Sequence, residues 1–333
     1  MTHVSPDPDA KTRETSPDPE AYLTKFEHEG YLRALHERYG SRFALYRQAW
    51  DLAARGQTPD FPLHLELEVT NHCNLSCPVC HCAQYTHDRR NKKFMSLDLL
   101  DRVLEQASGR LPAALVGACS ECLLHPQIED ILLRLNRTGI MDLMIHTNGL
   151  LVTERLTRLL VELPLARINI SVDAATPETY KVVRGGNLEL LEKNILRVLE
   201  YRKAAGSALP YVRLTFVKQP ANQHQLEHFL SKWQDKVDRI DIQELVELKG
   251  NDAATDLRDE DVRHTCAYPN RMLYVDYDGN AFPCCSFYYR FLKMGNIHDK
   301  TLEQIWLSDG MNTLRENFLK KKYYPVCRKC LDY

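Results

Sequence analysis

The sequence lacks both a long apolar run and a strong net charge. Its longer apolar-rich stretches, such as residues 113–116 and the segment 168–172 with its two polar residues, fall far short of the ~20 residues that a membrane-spanning helix needs. Its 43 basic and 45 acidic side chains leave a formal net charge of -2, so no overall field draws the chain to nucleic acid or to an anionic membrane. These absences predict a protein with neither nucleic-acid nor membrane partners.

The first 20 residues also lack the features of an export signal. They are rich in Pro, Asp, Ser and Thr, with neither a basic start nor an apolar centre. So little apolar surface predicts a disordered tail over residues 1–20, and the missing signal predicts a cytoplasmic chain. The 11 cysteines then indicate metal or redox chemistry rather than disulfides, because the cytosol keeps thiols reduced.

The cysteines concentrate near the two ends of the chain, with one pair between them. The first group is Cys73, Cys77, Cys80 and Cys82, the middle pair is Cys119 and Cys122, and the last group is Cys266, Cys284, Cys285, Cys327 and Cys330. This distribution predicts two separate metal centres.

Between these groups, strand-like and helix-like patterns alternate. Helical spacing of apolar residues from Ala21 onward predicts a helical extension over residues 21–61. Residues 62–249 carry six strand patterns alternating with helices, which predicts an α/β fold, a partial (β/α)6 TIM-like barrel with its active site at the strand C-terminal ends. Polar residues 250–265 predict a linker, and residues 266–333 predict a small C-terminal cysteine-rich domain stapled by metal.

Three thiols fall within one short loop after the first predicted strand, in the order Cys73-Asn-Leu-Ser-Cys77-Pro-Val-Cys80. Three thiolates can hold three irons of a 4Fe–4S cluster and leave the fourth iron open to a substrate. The alternative is a zinc knuckle, which needs a fourth ligand. The candidates for that ligand are Cys82, His72, His81 and His87.

The stretch from Glu68 to Cys80 resembles the CxxxCxxC loop of the radical S-adenosylmethionine (SAM) superfamily, including Asn-Leu after the first cysteine. The resemblance implies a 4Fe–4S cluster on Cys73, Cys77 and Cys80 whose open iron chelates SAM. It also implies reductive cleavage of SAM to a 5'-deoxyadenosyl radical that abstracts hydrogen from a substrate carbon. The electron would come from an external one-electron reductant such as flavodoxin or ferredoxin.

Other stretches resemble the cofactor pocket of that family, each at the end of a predicted strand. Gly117-Ala-Cys-Ser-Glu121 resembles its Gly-Gly-Glu motif and implies that Glu121 accepts a hydrogen bond from the methionine amino group, although Cys119 and Ser120 replace glycines. Further SAM contacts implied by the resemblance are Asn148, Ser171, Asp173 and Arg184. Taken alone, these four residues are also typical of a turn, of caps and of a surface charge.

The C-terminal thiols Cys266, Cys284, Cys327 and Cys330 can close one tetrahedral or cuboidal site, and their spacing alone leaves a zinc staple equally open. Together with Met294-Gly-Asn-Ile297 and the final CxxC, the segment resembles the SPASM/Twitch extension of radical SAM enzymes. The resemblance implies one auxiliary 4Fe–4S cluster on these four cysteines, with Cys285 spare.

The thiols outside the two ligand sets are, by default, small buried hydrophobes. Resemblance to radical epimerases implies instead that one donates hydrogen to a substrate radical, with Cys119, Cys122 and Cys285 as candidates. Dehydrogenation, with the electron passing to the auxiliary cluster, is the competing reaction and needs a general base. The candidate bases at predicted strand ends are His125, His146, Lys218 and Glu244.

Family members with one auxiliary cluster include dehydrogenases and epimerases of sugars and aminocyclitols, as well as maturases of ribosomal peptides. Residues 1–62 show no strand pattern of a peptide-binding module, which favours a sugar- or aminocyclitol-like small molecule in natural product biosynthesis. A peptide maturase, performing epimerisation or cross-linking, is one alternative. A non-catalytic iron–sulfur or zinc protein is the other, although a mere staple has no use for an amino-group acceptor such as Glu121.

Overall fold

The computed structural model describes residues 25–80, 82, 91–163, 165–246, 258–259, 265–285 and 292–331. The predicted tail at residues 1–20, two of the alternative zinc ligands, His81 and His87, and most of the predicted linker at 250–265 lie outside this part. Within it, every helix is too short or too polar to cross a membrane.

A nine-stranded sheet lies at the centre of the fold. In chain order the strands are β1 (His64–Leu67), β2 (Ala113–Val116), β3 (Asp142–Thr147), β4 (Arg167–Ser171), β5 (Tyr211–Lys218), β6 (Arg239–Glu244), β7 (Arg258–Asp259), β8 (Met272–Val275), β9 (Asn280–Phe282), β10 (Gly295–Asn296) and β11 (Lys322–Tyr323). Strands β1 to β6 lie side by side in chain order and are all parallel. Strands β7 and β11 form a separate pair.

Helices connect the parallel strands, as crossover connections require. The helices are α1 (Lys25–Tyr39), α2 (Ser41–Ala54), α3 (Leu97–Ala107), α4 (Ile128–Arg137), α5 (Glu154–Glu162), α6 (Pro177–Val183), α7 (Leu188–Ala204), α8 (Leu226–Trp233), α9 (Leu302–Trp306), α10 (Asp309–Leu319) and α11 (Pro325–Leu331). The side chains of Ser96, Thr153 and Asn187 cap α3, α5 and α7 by accepting a backbone N–H from the first turn. The predicted α/β fold with a partial barrel is confirmed.

Helices α1 and α2 cover the N-terminal ends of the parallel strands. Tyr31, Phe43 and Trp50 pack in one apolar cluster with residues that begin or precede β1 to β5. The Tyr31 hydroxyl donates to the Asp142 carboxylate at the start of β3, and the Arg271 Nε donates to the Trp50 carbonyl at 3.0 Å. The two helices therefore close this end of the barrel. A functional site is expected at the opposite end, where the strands have their C-terminal ends.

Strand β1 is buried on both faces. Leu65 and Leu67 belong to the main core beneath the helices, while His64, Glu66 and Glu68 alternate with them and are also buried. The alternating pattern predicts a half-buried strand with one solvated face. That prediction is wrong because the polar face of β1 looks into the barrel instead of the solvent.

The cysteine-rich C-terminal segment joins the main sheet. Strand β8 pairs in parallel with β1, with Tyr274 opposite Glu66, and β9 continues as an antiparallel neighbour of β8. Trp306 of α9 donates from Nε1 to the Pro59 carbonyl at 2.7 Å. The second cysteine group is thereby held beside the strand that carries the first.

Candidate active site

The C-terminal ends of the parallel strands surround a cavity of about 410 Å³, within the size range of small-molecule sites. Its wall includes all eight side chains predicted for the first cluster and its cofactor, namely Cys73, Cys77, Cys80, Glu121, Asn148, Ser171, Asp173 and Arg184. These residues come from the cysteine loop, from the segments after β2, β3 and β4, and from the end of α6. The fold therefore brings into one place side chains that are more than 100 residues apart in the sequence.

The cysteine loop leaves β1 and turns tightly at the cavity rim. The Leu75 N–H donates to the Cys73 Sγ at 3.4 Å, and the Cys80 N–H donates to the Cys77 carbonyl at 3.1 Å. Burial raises the pKa of Cys73 to about 12 and also raises the pKa of Cys77. Such thiols give up their protons when a metal binds them. Three sulfur donors on one loop fit a three-cysteine iron–sulfur cluster.

Arg184 and Asp173 form a buried ion pair beside the loop. The Arg184 guanidinium contacts the Asp173 carboxylate and lies 3.8 Å from the Cys77 Sγ. Burial opposes the charge of Arg184, but Asp173 and Cys77 outweigh this effect and raise its pKa above the usual value. The Val217 N–H donates to Asp173 at 2.8 Å, and Asp173 itself has a positive φ of 63°. A permanent cation thus stands next to the thiols, where it favours an anionic partner.

Glu121 joins the segment after β2 to the end of β3. Its carboxylate, 1% exposed, accepts hydrogen bonds from the Asn148 N–H and the Thr147 hydroxyl, both at 2.7 Å, and from the Leu123 N–H at 3.1 Å. Asn148 in turn donates from Nδ2 to Asn74 of the cysteine loop at 2.7 Å. Glu121 lies on the cavity wall as expected, and its contact with an amino group stays a prediction.

Glu68, at the end of β1, was not predicted to have a role. Its carboxylate accepts three successive backbone N–H groups, from Ala118 at 3.2 Å, Cys119 at 2.5 Å and Ser120 at 3.1 Å, and also the Tyr274 hydroxyl at 3.1 Å. Three amides converging on one anion form an anion nest. Burial raises the pKa of Glu68 to about 7, and these hydrogen bonds oppose the increase. The carboxylate holds in place a turn that lacks the expected glycines.

The three candidate hydrogen donors differ in their position. Cys119 and Cys285 line the cavity, and the Cys119 thiol also forms a hydrogen bond with the Cys82 thiol. Cys122 is fully buried and its thiol donates to the His146 carbonyl at 3.2 Å. The structure thus places Cys122 in the core behind the wall rather than on the cavity.

The four candidate bases also differ in their position relative to the cavity. His146 and Glu244 line the cavity, and Lys218 forms an ion pair with Glu244 at the ends of β5 and β6. His125 is not among the residues that line the cavity. Its Nδ1 accepts the Gln127 N–H at 3.0 Å, and its Nε2 lies 2.9 Å from the Met95 carbonyl. His125 therefore stabilises the start of α4, and His146 and Glu244 remain as candidate bases.

The C-terminal cysteines lie in a second cluster of side chains. Cys284 follows β9 and Cys327 lies on α11, and both pack with Cys266 around Tyr323 and Val326. Burial raises the pKa of Cys266 to about 12 and also raises the pKa of Cys327. The negative charge of a Cys330 thiolate raises both pKa values further. In the described ranges, no three His, Cys, Asp or Glu side chains already surround a single-ion site. Four cysteine thiols are the donor set that a 4Fe–4S cluster uses, and the charge interactions bring Cys266, Cys327 and Cys330 near one another.

Two family models match the chain in separate segments. Residues 67–213 match the radical SAM superfamily, and residues 266–331 match SPASM, an iron–sulfur cluster-binding domain. The first match implies a 4Fe–4S cluster and SAM for this chain. The second implies auxiliary iron–sulfur clusters. Together the two matches support iron–sulfur over the zinc alternatives, and the ligand residues of each cluster stay predictions.

Curated relatives include proteins with different activities. The chain is 24% identical over 315 residues to a tungsten-containing aldehyde ferredoxin oxidoreductase cofactor-modifying protein of Pyrococcus furiosus, with 80% of this chain and 86% of that protein covered. It is 32% identical over 140 residues to a probable GTP 3',8-cyclase of Methanothermobacter thermautotrophicus, with 41% of this chain and 44% of the cyclase covered.

Solved structures share the fold. SuiB of Streptococcus suis bound to its precursor peptide SuiA superposes with a TM-score of 0.60 at 16% identity, covering 82% of this chain and 71% of SuiB. BtrN in complex with AdoMet and 2-DOIA gives a TM-score of 0.52 at 18% identity, covering 77% of this chain and 86% of BtrN. At these identities the likeness extends to the fold alone.

Proposed function

The chain belongs to the radical SAM superfamily and carries a SPASM-type iron–sulfur domain, and from this premise we propose that it oxidises or epimerises a sugar- or aminocyclitol-like small molecule. The observation that carries the proposal is the cavity shared by the cysteine loop, four residues at or just after strand ends, and Arg184 at the end of α6. In the proposed reaction a flavodoxin or ferredoxin supplies the first electron.

Each of these residues has a distinct part in the proposal. Cys73, Cys77 and Cys80 hold the first cluster, which together with SAM supplies a 5'-deoxyadenosyl radical able to abstract hydrogen from a substrate carbon. Glu121 faces the amino group of SAM, and Arg184 is the cation for its carboxylate.

Asn148, Ser171 and Asp173 complete the proposed contacts with SAM. The hydrogen bonds of Asn148 to Asn74 and of Asp173 to Val217 hold these side chains in place before any ligand arrives. Such preorganised positioning is a large part of what a protein contributes to this kind of chemistry.

Dehydrogenation is the first of the two reactions that we propose. The substrate carbon would lose a hydrogen atom to the 5'-deoxyadenosyl radical and its hydroxyl would lose a proton to a base, and a C-terminal cluster would supply the acceptor for the remaining electron. The neutral imidazole of His146, on the cavity wall, is the proposed proton acceptor, because burial and nearby guanidinium groups lower its pKa well below the usual value and keep it unprotonated.

Epimerisation is the second reaction and uses a thiol. Cys285 lies on the cavity wall, next in sequence to Cys284, a proposed ligand of the C-terminal cluster. Its S–H group would give a hydrogen atom to the opposite face of the substrate carbon, and the thiyl radical left behind would take an electron from the external reductant and a proton from solvent. Cys119 shares the wall, but its thiol is already hydrogen-bonded to the Cys82 thiol. We therefore assign the donor role to Cys285 before Cys119.

Peptide maturation is a second candidate function. It is supported by the likeness to SuiB, which was solved with its precursor peptide and covers 82% of this chain. That likeness reaches the fold alone, as does the likeness to BtrN, which was solved with AdoMet and 2-DOIA.

A set of measurements tests the proposal. Anaerobically reconstituted protein should hold ~8 irons per chain, as expected for two 4Fe–4S clusters, and should release 5'-deoxyadenosine with dithionite. Cys73→Ala should abolish that release, and retention would overturn the first site.

The products then separate the two reactions. A carbonyl product would identify a dehydrogenase, while deuterium uptake at carbon from heavy water without net oxidation would identify an epimerase. Loss of that uptake in Cys285→Ala but not in Cys119→Ala would assign the donor.

A further inference from the structure

A row of polar side chains continues the cavity wall into the barrel. In the register of the parallel strands, Asn169 on β4 lies beside His146 on β3 and beside Arg213 on β5. Their strand neighbours Ile168 and Leu214 are buried in the core beneath the helices, so by alternation the three side chains point into the barrel. His146 is itself part of the cavity wall.

Two members of this row carry buried polar atoms without hydrogen-bond partners. Asn169 is 4% exposed, and neither its Nδ2 nor its Oδ1 has a partner. The buried Nε of Arg213 has none either. Native proteins rarely leave buried polar groups unpaired, and an unpaired group calls for an explanation such as a catalytic role or a bound water or ion. The row therefore offers unused donors to a ligand that enters from the cavity.

The charge around the row selects the kind of ligand. Arg213 and Arg239 share one carboxylate, that of Asp241, which lies 2.9 Å from the Arg213 Nη1 and also contacts the Arg239 Nε. Burial lowers the pKa of Arg213 to about 10, so it stays protonated at neutral pH. Arg167 also lies near this group, since its charge lowers the pKa of Arg213 and it interacts with Asp142 and Asp241. Three cations with two anions leave an excess of positive charge in a mostly buried place, where an anion is favoured.

We propose that His146, Asn169 and Arg213 form the substrate-recognition surface and that they bind an oxyanion of the substrate, a carboxylate or a phosphate. Arg213 donates from Nε, Asn169 donates from Nδ2, and the imidazole of His146 completes the contact at the cavity. Only the identification of the ligand as the substrate rests on the proposed function. The oxyanion site itself rests on the unpaired groups and the local charge.

The test is a calorimetric titration of the reconstituted protein with inorganic phosphate and, separately, with acetate, at constant ionic strength. We expect saturable binding of at least one anion, weakened about ten-fold or more in Arg213→Gln because a charge-assisted hydrogen bond is lost. Arg202→Gln is the matched control. It removes another half-buried arginine, paired with Asp238, and should bind as the wild type does.

The outcomes are distinct. Binding of phosphate alone indicates a phosphate-bearing substrate, and binding of acetate alone indicates a carboxylate. Failure of the wild type to bind either anion, or equal binding by Arg213→Gln, overturns the proposal. If Arg213→Gln does not fold, Asn169→Ala decides in its place. Asn169 has no partner to lose, and equal binding by Asn169→Ala likewise rejects the site.

Release of 5'-deoxyadenosine by the same wild-type preparation separates this proposal from the proposed function. Protein that cleaves SAM but binds neither anion rejects the oxyanion site alone. Protein that binds an anion but does not cleave SAM keeps the oxyanion site and rejects the proposed function.

Discussion

Two glutamates on β1 face the inside of the barrel in different surroundings. Glu68 accepts four hydrogen bonds, while the Oε2 of Glu66 is buried without a partner. Burial raises the pKa of Glu66 to about 8, with the charge of Glu68 adding to the increase. One carboxylate thus organises the turn that carries Glu121, and the other is easily kept protonated.

Replacing Glu68 by Gln should weaken SAM binding about ten-fold. The amide keeps one acceptor oxygen but turns an N–H₂ group toward backbone donors, so at least one charge-assisted hydrogen bond of roughly 1.5–3 kcal/mol is lost. Equilibrium binding of SAM to reconstituted protein measures the effect. Glu303→Gln, at a more exposed position away from the cavity, is the control. If Glu68→Gln binds SAM as tightly as this control does, Glu68 does not position the turn for SAM binding.

Replacing Glu66 by Gln should alter the pH dependence of stability. The unfolded chain releases the Glu66 proton near pH 4.5 and the folded chain near pH 8, so the folded wild type loses stability as the pH rises through this window. Gln does not ionise. The free energy of unfolding of the variant, relative to that of the wild type, should therefore increase by about 2–5 kcal/mol between pH 5 and pH 8.5. Thermal unfolding of both proteins at pH 5 and at pH 8.5 measures this increase. The same stability difference between variant and wild type at both pH values would contradict the prediction.

At the scale of elements, the loop between β3 and α5 is fixed by close packing against α7. Gly149 has φ +76°, and a Cβ there would lie 2.5 Å from Leu191 Cδ1 and 3.0 Å from Ile170 Cγ2. Asn194 of α7 also donates to the Gly149 carbonyl at 2.9 Å. This packing sets the position of the neighbouring Asn148 on the cavity wall.

Gly149→Ala should therefore cost more than backbone strain alone. Gly206 has φ +61° and nothing within 4 Å of a Cβ, so Gly206→Ala carries the strain without the clash. We expect about 1 kcal/mol of destabilisation for Gly206→Ala and about 1–3 kcal/mol more for Gly149→Ala from overpacking. Urea unfolding measures the stability of both variants. Equal midpoints would show that Leu191 and Ile170 move to accommodate the added methyl group at Gly149.

At the scale of the whole molecule, the two cysteine sites share one sheet. Strand β8 of the C-terminal segment pairs with β1, and its Tyr274 donates to Glu68 behind the turn of the first site. The cluster domain is thus built onto the barrel beside the cysteine loop.

Cys327→Ala should remove only the second cluster. Iron content should fall from ~8 to ~4 per chain, because the first site uses a separate set of thiols, and the variant should still release 5'-deoxyadenosine without forming product. Cys122→Ala, a buried thiol outside both ligand sets, should keep the full iron content. A complete loss of iron in Cys327→Ala would show that the two sites assemble together.

The sequence by itself determined the barrel and the location of both cysteine sites. Strand and helix follow from local periodicity and caps such as Ser96 and Thr153, and the cysteine loop is a contiguous stretch that needs no tertiary information. The strand-end residues are likewise predictable, because parallel strands bring their C-terminal ends to one edge.

Only the tertiary structure decided what lies inside the barrel. The alternation of β1 cannot tell a polar face toward solvent from one toward a barrel interior, so Glu66 and Glu68 carried no local signal of their roles. Separating Cys285 from Cys122, or His146 from His125, depends on which side of a strand or turn each side chain points. The row of His146, Asn169 and Arg213 exists because three strands pair in one register, and register is a property of the folded sheet.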